Sequence, residues 1–333
     1  MANISAADVK KLRDITGAGM MDCKKALTEA DGDFEKAKDK IRERGLAIAN
    51  KRADREATEG VVLATATKNN TIGVIISLSC ETDFVAKNED FVNLAKDILN
   101  VAAENLPVDL EALKALNLNG KTIAEAVAER SGVTGEKMEV SFYGKMEAPY
   151  VVEYIHNGSM LATVVGLNKV VDRQIGRKVA MQVTAMNPIA VDENCVSDEV
   201  KEHEFAVNVE KTKSEEITKA VNNAFSKAGL NPNLLDSEDH IESNMAKGWL
   251  TADEAAKARQ IRETVSAEAT ANLDKQAKKI EMIAQGRLQK FFKESTLMNQ
   301  ECIFEPKVSI AQYLEREEKG LRATGFLRFG LKN

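Results

Sequence analysis

Cys80-Glu81-Thr82-Asp83-Phe84-Val85-Ala86-Lys87 joins two segments of opposite periodicity. Before it, Ile72-Gly73-Val74-Ile75-Ile76-Ser77-Leu78-Ser79 is the short β-branched run of a buried strand. After it, Phe91 to Leu99 spaces its apolar residues in threes and fours, as a helix does. A strand-to-helix junction lies at the edge of its domain, where a loop presents side chains outward. This one offers an acid beside a large aromatic, flanked by Glu81 and Lys87. Residue type alone leaves two readings open. Either Asp83 and Phe84 face outward as a contact pair, or Phe84 turns into the core while Asp83 caps the helix.

Outward from this junction the chain repeats one grammar. Val61 to Thr67, a Lys68-Asn69-Asn70 turn and Thr71 to Ser79 predict an antiparallel hairpin, covered by the helix that follows. Short helices are expected at Leu110–Leu113 and Ile123–Val127, and Glu139–Met146 closes the unit as a strand. Tyr150–His156, the hairpin dipeptide Asn157-Gly158 and Met160–Leu167 then predict a second hairpin. A helix opened by Asp172 runs to Ala185 and stops before Asn187-Pro188. A hairpin followed by a helix occurs twice, which points to two α+β subdomains with antiparallel sheets.

Two helical regions flank and interrupt this core. At the start, Ser5 and Asp8 form a capping box, and Val9, Leu12 and Ile15 give an apolar face. Gly17 and Gly19 break that helix, Met21–Ala30 makes a second, and Phe34, Ala37 and Ile41 mark a third; residues 44–58 read as helix end and linker. Further on, Phe205, Val209, Ile217, Val221 and Phe225 keep helical spacing until Gly229 and Pro232. A second capping box at Thr251 and Glu254 opens the series Ile261, Val265, Ala269, Leu273, Ala277, Ile280. Two long amphipathic helices joined by about twenty residues predict an antiparallel coiled-coil arm with legs of roughly 40 Å. The connector, Leu234 to Leu250 with Trp249, matches no pattern. The chain then returns through a strand around Cys302–Pro306, a helix Ile310–Glu317 and a last strand Gly325–Phe329.

The expected fold class is therefore α+β, with a three-helix module (1–50), a linker (51–59), a first core subdomain (60–147), a second (148–198 with 286–333) and an inserted arm (199–285).

Composition limits the function. A formal charge of −6 over 333 residues argues against general nucleic-acid affinity, which rests on positive surface. Cys23, Cys80, Cys195 and Cys302 are dispersed, so they read as reduced thiols and supply no zinc site. No apolar run approaches a membrane span and no secretory signal is visible near Met1, so a cytoplasmic location is expected. A phosphate-binding Gly-x-x-x-x-Gly-Lys loop is missing, and His156, His203 and His240 have no triad partners; no catalytic set, cofactor or metal is expected.

Thr82-Asp83-Phe84-Val85-Ala86-Lys87, together with Thr16-Gly17-Ala18-Gly19-Met20-Met21-Asp22-Cys23-Lys24-Lys25-Ala26-Leu27, resembles the elongation factor Ts family. Val179–Val183, Gly286–Phe291 and Thr324–Phe329 extend the likeness. The resemblance implies a nucleotide-exchange factor whose partner is the translational GTPase elongation factor Tu. It implies a ubiquitin-associated-like fold for the N-terminal module. It also implies that Phe84, with Thr82, Asp83 and Val85, wedges near the GTPase's magnesium site. Leu12, Arg13, Met20 and Met21 would contact a GTPase helix, with Arg13 and Lys24 as rim charges. Gln182 stands where the family often carries an exposed, partner-facing histidine, and Ile303 with Phe304 matches a further contact position. A non-catalytic adaptor using the same helical parts is the competing reading.

Overall fold

The computed structural model describes residues 4–52 and 54–332. In chain order these form α1 (Ala6–Thr16), α2 (Met20–Glu29), α3 (Phe34–Lys51), β1 (Glu59–Thr67), β2 (Ile72–Cys80), α4 (Asp83–Ala86) and α5 (Glu89–Asn105). Then come α6 (Leu110–Ala115), β3 (Asn117–Leu118), β4 (Lys121–Thr122), α7 (Ile123–Thr134), β5 (Met138–Glu147), β6 (Tyr150–Ile155), β7 (Leu161–Leu167) and α8 (Arg173–Met186). The interruption holds α9 (Asp198–Lys227), α10 (Glu238–Ala246), α11 (Ala252–Ala271) and α12 (Ala277–Ser295), and the chain ends in α13 (Ile310–Glu317) and β8 (Ala323–Gly330). The chain is α+β, as the two periodicities predict. It divides into two compact units, Asp192–Ser295 and the remainder.

The larger unit is built on two three-stranded antiparallel sheets of the same plan, ordered β1-β2-β5 and β6-β7-β8. In each, a hairpin is followed by a helix, and a later strand pairs with the hairpin's second strand. The turn of the first hairpin places Lys68, Asn69 and Asn70 all at positive φ (51°, 58°, 63°), a conformation that asparagine accepts more readily than most residues.

The alternation of the strands explains their unbroken apolar run. Val61, Leu63, Val74, Ile76 and Leu78 face Phe91, Ala95 and Ile98 of α5. Their neighbours Val62, Ala64 and Ile75 face Val151, Ala162 and Val164 of the second sheet. Both faces are covered, so neither needs polar residues. The sheets approach so closely at Gly73 that a Cβ there would lie 2.1 Å from Val164 Cγ1. On the far side of the second sheet, Val179, Ala180 and Val183 of α8 pack with Val152, Val165, Tyr313 and Leu314.

The N-terminal module closes a small core of Val9, Leu12, Ala18, Cys23, Ala26, Leu27, Ala30 and Ala37. Its last helix is longer than predicted. α3 runs through residues 44–51, read from sequence as helix end and linker, because it docks on α7. The crossing is glycine on glycine: a Cβ on Gly132 would lie 2.1 Å from Gly45 Cα. Arg42 pairs there with Glu125 and, at 3.3 Å, with Glu129. Ile15 was expected in the module core but is 53% exposed. At 100° per residue it is rotated about 120° from Val9, off the stripe that Val9 and Leu12 define.

The second unit is a helical arm. α9, of 30 residues, extends about 45 Å and packs along both α11 and α12. The return leg, expected as one helix, tightens into a 3₁₀ turn at Asp274–Gln276 between α11 and α12. Such a turn winds at about 3.0 residues rather than 3.6, and three residues of it are too few to interrupt the apolar series visibly. The unmatched connector is a folded head. Leu230, Leu235 and Ile241 close a core with Val221, Phe225, Leu250, Ala255 and Ala258. α12 also continues past residue 286, where the arm was expected to end. The region around Cys302–Pro306 is likewise no strand but a turn, discussed below.

Gly132→Ala should lower the midpoint of thermal unfolding and expose the segment after α3 to protease, at a cost of about 1–3 kcal/mol, because backbone must separate to admit a methyl group. Gly286→Ala, on an open helical surface, should leave stability unchanged or raise it by about 0.5–1 kcal/mol. Equal behaviour of the two variants would refute the glycine crossing as a docking constraint.

Candidate partner interface

Phe84 is 84% exposed on α4, a single helical turn. The inward reading of this residue is thereby excluded. Asp83 is not the cap either: the cap is Thr82, whose hydroxyl faces the Val85 N–H at 3.5 Å. Asp83 instead pairs with Lys87 at 2.6 Å, and that ammonium holds the Asp83 carboxyl below the usual carboxylate range. Val85 is half-buried against the first core, and Ala86 is buried.

The turn stands on two carboxylates that sequence reading passed over. Thr82 donates from its hydroxyl and its N–H to Glu136, at 2.7 and 3.1 Å. Glu81, whose side chain is 14% exposed, accepts from Arg52 at 2.9 Å, from Arg55 at 3.0 Å and from the Lys137 N–H at 2.6 Å. Burial works against its charged form, but the Lys137 N–H and the two guanidiniums outweigh that and hold its carboxyl down at about 2. Beneath the turn, burial and the nearby Glu136 charge push the Cys80 thiol up to about 12, and the thiol donates to Thr82 O at 3.2 Å. Cys80 is thus an inert part of the footing. In sequence, Arg52 and Arg55 read as linker charges, and nothing local marks a partner 26 to 29 residues away.

Arg130 links the loop after α1 to the start of α5, the helix that follows this turn. That guanidinium pairs with Asp90 and reaches Asn88 Oδ1 at 3.5 Å, at the start of α5. It also lies 3.3 Å from where a Cβ on Gly17 would stand. Ile15, Gly17, Asp90, Leu94, Arg130 and Val133 share one cleft of about 410 Å³. Met20 and Met21 open α2 and are exposed, Met21 by 75%. Arg13 and Lys24 are exposed as well. Leu12 is different: it is fully buried in the module core, so its side chain shapes the loop and presents no surface.

The third group is carried by the second sheet's layer. Ile303 and Phe304 are both exposed on the turn between Glu301 and Ser309, which is closed by a bridge between those two residues. Pro306 and the positive φ of Lys307 (65°) make it a turn. Gln182, expected at the surface, is fully buried under it. Its place on α8, three residues from Val179 and next to Val183, puts it on the buried stripe, a signal legible in the helical period. Met186 and Ile189, both exposed and near the end of α8, were not anticipated. Among the described residues, no cluster of His, Cys, Asp and Glu could hold a metal ion, and no helix is long and apolar enough to cross a membrane.

Comparison with known proteins converges on one family. The family model described as Elongation factor TS matches residues 81–333. Elongation factor Ts of Bacteroides fragilis is 52% identical over 330 residues, covering 99% of each chain. That of Bacteroides thetaiotaomicron is also 52% identical over the same coverage. The Porphyromonas gingivalis protein of the same name is 39% identical over 98% of each chain. This chain belongs to the elongation factor Ts family of translation elongation factors.

Proposed function

We propose that this chain binds elongation factor Tu in its GDP form and promotes GDP release, so that GTP can enter. The observation that carries the reading is Phe84, a large aromatic held in water on a braced single turn. Leaving such a ring exposed forgoes about 1.5–3 kcal/mol of burial. A partner that buries it recovers that free energy.

A GTPase holds GDP through magnesium and phosphate contacts. A ring inserted beside them displaces those contacts, and Asp83 offers a carboxylate to donors that the displacement frees. By linkage, whatever factor this chain weakens GDP by, GDP weakens the chain's binding by the same factor. Burial of one phenylalanine corresponds to about tenfold to over a hundredfold in an equilibrium constant. Further contact area, on the exposed Met20 and Met21 and on the Ile303–Phe304 turn, adds affinity for the GTPase. The chain works as a binding partner, with its chemistry confined to exchange of contacts.

Phe84→Ala should lower stimulated release of fluorescent GDP from elongation factor Tu by roughly ten- to a hundredfold in stopped flow, with the midpoint of unfolding unchanged. An unchanged release rate would rule out the wedge. An adaptor would bind the GTPase and leave release unaltered even in the unsubstituted chain.

The footing of the wedge should also be readable by pH. Glu81 has its folded value depressed to about 2 from an ordinary 4.5, so its contribution to stability is present above the ordinary value and is lost as pH falls toward 2. Glu81→Gln should therefore cost about 1.5–3 kcal/mol near neutral pH, with the difference from the unsubstituted chain shrinking between pH 4.5 and 2. A pH-independent difference in urea unfolding would count against the charged clamp.

A further inference from the structure

Gln182 is the one fully buried glutamine side chain of α8, and every polar atom of its amide is spent on the 300–303 segment. Its Oε1 accepts from the Ile303 N–H at 2.9 Å. Its Nε2 donates to Glu301 O at 3.1 Å and to Gln300 Oε1 at 3.3 Å. The Ile303 N–H can only donate, which fixes the orientation of the amide. Gln300 in turn reaches back to Met186 O at 3.4 Å. The residues at Lys178, Gln182 and Met186 recur every four positions and so line one stripe of α8. At the head of that stripe, Lys178 Nζ lies 6.0 Å from the centre of the Phe304 ring.

We infer that Gln182 is the positioning residue of a second contact ridge: it fixes the Ile303–Phe304 turn on α8 and thereby sets affinity for the GTPase without entering the exchange step. The inference rests on the exchange-factor reading above. Without the amide, the Ile303 N–H and the Glu301 carbonyl lose their partners in a partly buried place, a cost that favours rearrangement of the turn. Two exposed apolar side chains on a loop bind well only if the loop is ordered before contact, since ordering it on contact subtracts from affinity. An imidazole could offer one donor and one acceptor, on opposite sides of a ring. It could not place both on adjacent backbone groups of one turn as the amide does. The glutamine thus anchors the ridge from below, whereas a partner-facing side chain would have to leave this site.

The test compares the unsubstituted chain with Gln182→Met, Gln182→Ala, the pair Ile303→Ala with Phe304→Ala, and that pair combined with Gln182→Met. Affinity for elongation factor Tu·GDP is read by calorimetry, and GDP release by stopped flow over a range of chain concentrations. Gln182→Met should weaken binding about tenfold. The concentration for half-maximal release should rise by the same factor, with the plateau release rate unchanged. Added to the Ile303 and Phe304 substitutions it should cost nothing further, because its effect passes through those two residues. Gln182→Ala, which leaves room for water at the freed N–H, serves should the methionine prevent folding. Unaltered affinity, a lowered plateau, or a full additional loss in the combined variant would overturn the inference. A chain that binds but releases no GDP defeats only the exchange reading, since the Gln182 comparison is still decided by calorimetry. A chain that does not bind defeats both.

Discussion

Glu81 is the joint on which the exposed turn at Phe84 depends. One carboxylate gathers Arg52 and Arg55 from beyond the end of α3, and the Lys137 N–H from the approach to β5, one residue ahead of the exposed turn. Three segments distant in sequence are thus tied at the root of α4. A pair of charges in the open would contribute little, because water screens it and mobile side chains lose entropy on pairing. This acid is mostly shielded and also accepts from a backbone amide, so its charge is stabilised by a fixed donor as well as by two cations. The result is a stiff footing under a solvent-facing ring. Stiffness matters because an anchor that already holds its bound geometry loses less on association.

A second constraint sets where the N-terminal module stands. Gly45 against Gly132 lets α3 and α7 approach at backbone distance, and Arg42 with Glu125 and Glu129 fixes the rotation about that point. The module's own core is small, alanines and a cysteine around Val9, Leu12 and Leu27, and Val133 of α7 packs against it. Docking on α7 orients the module as a whole, its exposed methionines included. The two sheets beneath carry the same logic further. Gly73 removes the side chain that would keep them apart, and the first sheet becomes buried on both faces.

Much of this was legible in the sequence, and the failures share a cause. Hairpins, capping boxes and the arm's helices announce themselves locally, through alternation, through Ser5 with Asp8 or Thr251 with Glu254, and through apolar stripes. The unusual string at Thr82–Lys87 was legible too, whereas residue type left Phe84 open between core and surface, and only the family resemblance favoured the surface. What failed was whatever depended on contacts between remote segments. Residues 44–51 looked like a helix fraying into a linker, because nothing in them announces a glycine on another helix. Ile303 and Phe304 looked like strand residues, although Pro306 was in view and a turn suits exposed apolar pairs as well. Gln182 was assigned to the surface by analogy, against its own place in the helical period. Glu81 and Glu136 were passed over because a carboxylate's role is set by which cations and amides fold against it.

The arm bears on how the second sheet is assembled. Leu297 N–H donates to Ala190 O at 2.9 Å and Met298 N–H to Val191 O at 2.8 Å, so the chain leaves and re-enters its sheet layer through one narrow gate. Strand β8 must find β7 across the whole excursion, and a flexible excursion of that length would oppose the pairing by its closure entropy. An arm whose outgoing helix packs on its returning one draws its own ends together. For β8, the long detour then behaves as a short tether. Changes in the arm's length should consequently be absorbed at the tip, with little cost to the sheet that hosts it.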